Sequence, residues 1–198
     1  MIFNDKTVLV TGGAGFIGSH LIDRCLTEGA KKVICLDNYV AGSPKNVAHL
    51  KEDSRLEVIE GDVRDFELSK KLVERSDYIF HEAASKMVAA LDNPRVDLDV
   101  NITGTFNILE AARQSKNNPR IIHASTGSVL GSSDKPMPED HPKRPTTLYG
   151  ISKTAGEQYC LFYAKEFGVR VTALRYFHVF GPRQDFSGDA GVISIFIS

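Results

Sequence analysis

Six short apolar or β-branched runs, at 7–10, 32–36, 56–59, 78–81, 121–125 and 169–174, alternate with longer stretches of helical periodicity. Four of the runs are almost continuous in apolar residues, as strands buried on both faces of a parallel sheet must be. Between them, stretches such as 102–113 place Ile102, Phe106 and Leu109 at i, i+4 and i+7, on one helical face. Strand, helix, strand repeated along a chain implies right-handed crossovers and a doubly wound α/β sheet with helices on both faces. The 198 residues suffice for one such core and are few for two. No internal repeat or interdomain linker interrupts them. One long irregular stretch, 131–145, carries Pro136, Pro138, Pro142 and Pro145, so it is neither helix nor inner strand. It runs up to Tyr149, and loops of that length in compact domains are commonly functional.

Charge excludes some partners. The formal net charge is −1, from 24 Lys+Arg against 25 Asp+Glu, and no stripe of basic and aromatic residues breaks the balance. Nucleic acid is not an expected partner. No segment approaches the ~18 apolar residues of a membrane span, and the start at Met1 lacks the build of a signal peptide, so no membrane partner and a cytoplasmic location are expected. Cys25, Cys35 and Cys160 are odd in number and widely spaced within apolar segments, which reads as buried free thiols with no metal role.

The first run ends in Thr11-Gly-Gly-Ala-Gly-Phe-Ile-Gly-Ser19, where Gly13, Gly15 and Gly18 match G-x-G-x-x-G and Gly12, Gly15 and Gly18 match G-x-x-G-x-x-G. A strand precedes the motif, and an amphipathic segment with Ile17, Leu21, Ile22 and Cys25 follows it. This is the setting in which glycines let a pyrophosphate approach backbone N–H groups at a helix N-terminus, and it predicts a Rossmann-type dinucleotide site. Asp37 lies 19 residues after Gly18 at the end of the second run, placed to accept from both hydroxyls of an adenosine ribose and to repel a 2′-phosphate. NAD is therefore expected over NADP, with Lys31 and Lys32 as the residues that argue the other way. Asp62, in Gly61-Asp-Val-Arg-Asp65, follows the third run at the same sheet edge. It either caps a helix beginning near Phe66 or meets the adenine amino group.

Farther along, Tyr149-Gly-Ile-Ser-Lys153 places a phenol and an ammonium four residues apart, on one face of a helix. A free tyrosine is a poor base at neutral pH, so a neighbouring cation is needed to favour the phenolate; Lys153 and a positive nicotinamide ring are the candidates. The chemistry served is proton abstraction from a substrate hydroxyl while hydride leaves to the cofactor. Upstream, Ser125-Thr126-Gly127-Ser128 ends the fifth run with hydroxyls at the carboxyl edge of the sheet.

These segments, with Leu36-Asp-Asn38, His81-Glu-Ala-Ala84, Asn101-Ile-Thr-Gly-Thr105 and Leu174-Arg-Tyr-Phe-His-Val-Phe-Gly-Pro-Arg-Gln184, resemble the extended short-chain dehydrogenase/reductase family, in its nucleotide-sugar epimerase/dehydratase branch. The resemblance implies an NAD cofactor, a nucleotide-sugar substrate and a homodimer pairing the helices at 102–113 and 147–165. By position it implies Gly12, Gly15, Phe16, Ile17 and Gly18 at the pyrophosphate, and Asp37, Asn38, Tyr39, Val40, Ala41 and Gly42 around the adenosine ribose. It gives Asp62 and Val63 to adenine, and Glu82, Ala83, Ala84, Ser85, Lys86 and Asn101 to the nicotinamide half, with Phe177 near its carboxamide. The family's base falls on Tyr149, assisted by Lys153, and its catalytic hydroxyl on Thr126; Lys86, Thr126, Tyr149 and His178 would meet the substrate. No metal is implied.

Departures select within the branch. Where the 4,6-dehydratases carry Asp and then Glu after the catalytic Thr, this chain has Gly127 and Ser128, so elimination lacks its general acid and C4 epimerisation is favoured. His178 stands where Asn is usual, and Leu130 replaces a usual Tyr. A reductase, a C3/C5 epimerase, a dehydratase and a non-catalytic NAD-binding regulatory protein are the alternatives. The resemblance further implies an NAD-binding domain at 1–175 and, at 176–198, only the start of a substrate-binding region, with the C-terminal substrate domain largely absent. Ile193, Phe196 and Ile197 read as one apolar helical face without a closing residue, as if cut within a helix, and the 198-residue chain is expected to bind NAD but turn over poorly.

Overall fold

The computed structural model describes residues 1–185 together with Ile193 and Phe196. In chain order the elements are β1 (Thr7–Thr11), α1 (Phe16–Thr27), β2 (Lys32–Asp37), β3 (Leu56–Glu60), α2 (Phe66–Glu74), β4 (Tyr78–His81), α3 (Met87–Asp92), α4 (Pro94–Asp97), α5 (Thr105–Gln114), β5 (Arg120–Thr126), α6 (Leu148–Phe167) and β6 (Val171–Tyr176). Each of the six apolar runs is a strand, and the segment 131–146 has no helix or strand. The expected helical face near the C-terminus lies outside the described residues except for Ile193 and Phe196.

The strands form one parallel sheet in the order β3-β2-β1-β4-β5-β6. Chain direction across the sheet reverses between β1 and β4, and at such a switch point the loops leaving the two carboxyl ends part to form a crevice. Alternation along the inner strands divides the core into two layers. Val8, Val10, Val33 and Cys35 pack with Ile22, Cys25 and Leu26 of α1. Leu9, Ile34, Leu36, Ile79 and Ile121 pack on the opposite face with Leu72 and Val73 of α2, Ile108 and Leu109 of α5, and Cys160 and Tyr163 of α6. The edge strands β3 and β6 alternate partly buried with exposed positions, because each has a neighbour on one side only. All three cysteines are buried and free, and burial pushes each thiol up to about 12. Among the described residues no helix is long and apolar enough to cross a membrane, and no cluster of His, Cys, Asp and Glu could hold a metal ion.

Helix boundaries follow local chemistry. Asp65 caps α2, its side chain accepting from the Leu68 N–H at 3.0 Å. Thr147 caps α6 through the Gly150 N–H, and Gly168, at φ 68°, ends it in the left-handed conformation that glycine adopts freely. The stretch expected as one helix over 102–113 is instead a π-helical segment, Leu98–Gly104, leading into α5. There the Thr105 hydroxyl donates to the Asn101 carbonyl at 2.6 Å and Asn101 turns its carboxamide inward, a use of wide turns common at functional sites.

Candidate active site

The turn between β1 and α1 is closed by the Gly12 N–H on the Leu36 carbonyl at 2.8 Å and the Gly15 N–H on the Gly12 carbonyl at 3.0 Å. Gly12 has φ 66°, and a Cβ there would press on the backbone of Ala83 at 2.9 Å; a Cβ on Gly18 would overlap the Gly12 carbonyl oxygen. Gly15, at the N-cap of α1, brings no capping side chain, so the helix start presents its amides outward. A cavity of about 270 Å³ opens here, lined by Gly12, Gly15, Asp37, Asn38, Val40, Ala41, Gly42, Asp62, Val63, Arg64 and the segment Glu82, Ala83, Ala84, Ser85 and Lys86.

Asp37 is almost fully buried in that wall. Its Oδ2 accepts from the Ala14 N–H at 2.9 Å and its Oδ1 from the Tyr39 N–H at 2.8 Å. The chain crosses this carboxylate at Gly42, where a Cβ would lie 2.8 Å from each carboxylate oxygen. Tyr39 contributes this amide and packs its side chain into the α1-side core, so it is not part of the cavity wall. Asp62 accepts from Asn38 Nδ2 at 2.7 Å and from Arg64 Nε and Nη2 at 2.9 and 2.7 Å. Those Arg64 hydrogen bonds hold its carboxyl down at about 2. The cap of α2 is Asp65 and not Asp62, which removes the capping reading, and Asp62 lines the cavity with its carboxylate held by Asn38 and Arg64. Arg64 carries no signal in the sequence beyond its place in Gly61-Asp-Val-Arg-Asp65, yet it is the cation nearest this end of the cavity. Lys32, by contrast, begins β2 at the opposite edge of the sheet and pairs with Glu57 at 3.3 Å, so neither it nor Lys31 bears on the ribose site.

A second cavity of about 260 Å³ shares Glu82 and Ala84 with the first and is otherwise lined by Phe16, Ile17, Ala124, Ser125, Thr126, Tyr149, Lys153, Tyr176, Phe177 and Val179. The structure thus brings Thr126, Tyr149 and Lys153 into one chamber. Ser125, also at the end of β5, gives its hydroxyl to Glu157 Oε1 at 2.6 Å, while Thr126 Oγ1 donates to Ser128 Oγ at 3.3 Å and stays at the chamber wall. Glu157 also takes Arg175 Nε at 2.9 Å and Lys143 at 2.8 Å, and Arg175 reaches the Glu139 carbonyl at 2.7 Å, which ties the proline-rich loop to α6 beside the chamber.

Tyr149 does not stand ready as a phenolate. Burial first, and then the Asp97 carboxylate, raise its pKa; a hydrogen bond with Thr126 draws it part of the way back. Lys153, 2% exposed, is itself driven by burial from the usual lysine range down to about 8. Of the two cations expected to favour the phenolate, Lys153 does not by itself bring the phenol down. Asn101 lines neither cavity: its carboxamide sits behind the wall, accepting from the Ser85 N–H at 3.0 Å and donating to Asp97 at 2.8 Å and Ser152 at 3.0 Å. His178 is exposed and lines neither cavity, and Lys86 pairs with Asp185 at 3.3 Å. Phe177 projects its ring over Gly127, and a Cβ at position 127 would lie 2.6 Å from it. Tyr176 and Val179, which lie in the Leu174 to Gln184 segment but were given no role there, complete the chamber beside Phe177.

An extended dinucleotide fits this arrangement: a glycine cradle that a Cβ would fill, a buried carboxylate at one end, and two cavities sharing a wall between that carboxylate and the Tyr149 chamber. The family model for NAD-dependent epimerases/dehydratases matches residues 8–198. A Methanocaldococcus jannaschii protein provisionally named a UDP-glucose 4-epimerase is 41% identical over 96% of this chain and 61% of its own length. A UDP-N-acetyl-α-D-glucosaminuronate decarboxylase of Bacillus cytotoxicus is 37% identical over 97% of the chain and 60% of its own. The solved structure of a Thermus thermophilus UDP-glucose 4-epimerase in complex with NAD superposes with a TM-score of 0.84, at 36% identity over 96% of this chain and 61% of that one. The chain therefore spans about three fifths of the length of the relatives it matches.

Proposed function

The chain belongs to the NAD-dependent epimerase/dehydratase family, and from that premise we propose that it serves the C4 epimerisation of a nucleotide sugar, UDP-glucose/UDP-galactose or the N-acetylhexosamine pair. Residues 1–175 form the NAD-binding domain in this reading, and 176–198 begin the substrate-binding region. The observation that carries the choice of reaction is the pair of positions that follows Thr126 in the wall of the Tyr149 chamber. The two positions after Thr126 are Gly127, under the Phe177 ring, and Ser128, so no carboxyl stands where an eliminating enzyme needs an acid.

Tyr149 Oη takes the proton of the sugar 4-OH, and Thr126 Oγ1 orients the same oxygen. NAD held by these residues would supply a hydride acceptor at C4 and a donor to the opposite face of the same carbon, and so would be regenerated within each cycle. Gly12, Gly15, Phe16, Ile17 and Gly18 present backbone to the pyrophosphate, and Asp37 accepts from the ribose hydroxyls. Asp62 and Val63 bound the adenine end, and Glu82, Ala84 and Phe177 bound the nicotinamide end. Asn101 acts through Ser85, and Lys86, in the wall of the first cavity, is assigned to the substrate. The exposed position of His178 suits a substrate phosphate at the chamber mouth. A homodimer would use α5 and α6, whose Phe106, Leu161 and Phe162 are exposed.

The test is to incubate the protein with UDP-glucose, UDP-N-acetylglucosamine and UDP-glucuronate and to separate epimers by chromatography. Conversion without net change in NADH is expected of the full-length protein, and only slow conversion of residues 1–198 alone; stoichiometric NADH formation would mark a dehydrogenase, and NADH consumption a reductase. Tyr149→Phe should bind NAD as the parent does and lose nearly all turnover, and retained epimerisation would remove Tyr149 from the base's role.

A further inference from the structure

Glu82 is the one acidic side chain in the wall of both cavities, and its assignment to the nicotinamide half gives its carboxyl no task. It follows β4 directly, its N–H on the Thr11 carbonyl at 3.2 Å, so its position is set by the central pair β1 and β4. Tyr176, at the end of β6, donates its hydroxyl to Glu82 Oε1 at 3.1 Å. A carboxyl gripped from across the sheet edge in this way is oriented, and Lys153 lines the same chamber.

Lys153 is fully enclosed, and burial works against its charge. The groups around it differ in what they offer. His81 and His123 beneath it are kept neutral by burial, and Cys160 on its own helix is a neutral thiol. Glu157, one turn along α6, is spent on Arg175 and Lys143. Asp97 is held by Ser85 and Asn101 behind the wall and faces Tyr149. Glu82 remains, within the chamber and bonded to a neutral phenol only, and it is the foremost group favouring the charged form of Lys153.

We propose that Glu82 is the counter-charge of Lys153: a positioning residue whose carboxylate, fixed by Tyr176 at the seam of the two cavities, keeps the buried ammonium charged beside Tyr149. The consequence for catalysis rests on the reading of Lys153 as the partner of Tyr149, whereas the electrostatic pairing does not. Burial raises the Glu82 carboxyl itself to about 7, so the counter-charge is half present at neutral pH and fades as the solution turns acid, while Lys153 gives up its own charge above about 8.

The experiment follows the Lys153 titration by NMR of the Cε–Hε signal in protein carrying ¹³C-lysine, with Lys153→Arg to assign it. No substrate or cofactor is needed, so a failed epimerase assay leaves the outcome intact, and an unmoved titration leaves the epimerase reading intact. The parent midpoint is expected near 8. Glu82→Gln should lower it by about one unit, a tenfold loss of proton affinity, as removal of one nearby opposite charge does. Glu82→Asp should restore most of the shift. Tyr176→Phe keeps the carboxyl, removes its donor and should move the midpoint the same way by less, which provides a reading even where Glu82→Gln does not fold. An unmoved midpoint in either folded variant overturns the proposal.

Discussion

His123 gives the molecule a measurable weakness toward acid. It lies in β5 with its ring 5.4 Å from that of His81, and neither of its nitrogens has a hydrogen-bond partner. Burial, then the charge of Lys153 and then His81 hold its pKa well below 6.5. For a base depressed in the folded state, stability is complete above the unfolded pKa and is lost as pH falls through it, since only the unfolded chain takes the proton. From pH 7 to pH 5 that amounts to about 2 kcal/mol for one such histidine. His81, pushed down to about 3 by burial, loses about the same over this window. Glu82 acts in the opposite sense: raised to about 7, it takes a proton in the folded state first and recovers about 2 kcal/mol. The carboxyls held at about 2, Asp62, Glu110 and Glu157, give up their stabilisation only below about pH 4.5. The net loss between pH 7 and 5 is therefore about 2 kcal/mol, a large share of the 5–15 kcal/mol typical of a domain. His123→Leu, which fills the site without an unpartnered nitrogen, should make the window nearly flat. Urea unfolding of parent and variant at pH 7, 6 and 5 and fixed ionic strength decides it: parallel curves, each losing about 2 kcal/mol, would refute the linkage.

Two other substitutions probe the cradle and the loop anchor. Gly18→Ala places a methyl against the Gly12 carbonyl and should weaken NAD binding at least tenfold by calorimetry, with about 1–3 kcal/mol of lost stability; unchanged affinity would mean that the turn accommodates a side chain. Glu157→Gln leaves Arg175 and Lys143 facing each other without their shared carboxylate and should cost about 3–5 kcal/mol in urea unfolding, together with faster proteolysis of the 131–145 loop. A loss below 1 kcal/mol would show that water screens the cluster.

Much of the fold is legible because its signals are local. A both-sided apolar run such as 32–36 has few alternatives to an inner parallel strand, and glycines 12, 15 and 18 are demanded by backbone approach, which is recorded in residue type. What escapes is whatever depends on partners distant in the chain. Nothing near Asp62 tells whether it or Asp65 caps α2, and the answer comes from the Leu68 N–H. Nothing near Lys32 shows that it stands at the far edge of the sheet from Asp37, although register with β1 makes that plain. Tyr176 and Glu82 are 94 residues apart and meet only because β4 and β6 end on the same side of the sheet. Asn101 was expected in the nicotinamide half, and its place behind the wall depends on a π-turn that periodicity does not encode.

The same distinction explains why the Tyr149 and Lys153 spacing was readable and its electrostatics were not. A phenol and an ammonium four residues apart suggest mutual stabilisation of the charged pair, but both lie inside the protein, and burial opposes both charges at once. Asp97 and Glu82 then add negative charge, which supports the ammonium and opposes the phenolate. On the chain's own residues the tyrosine stays protonated at neutral pH, with Thr126 alone pulling the other way. A base so arranged gains strength only when positive charge enters the chamber, and the shared wall at Glu82 and Ala84 is where a dinucleotide running from Asp37 would bring it. In the proposed reaction, proton abstraction by Tyr149 would thereby depend on the charge that the cofactor brings.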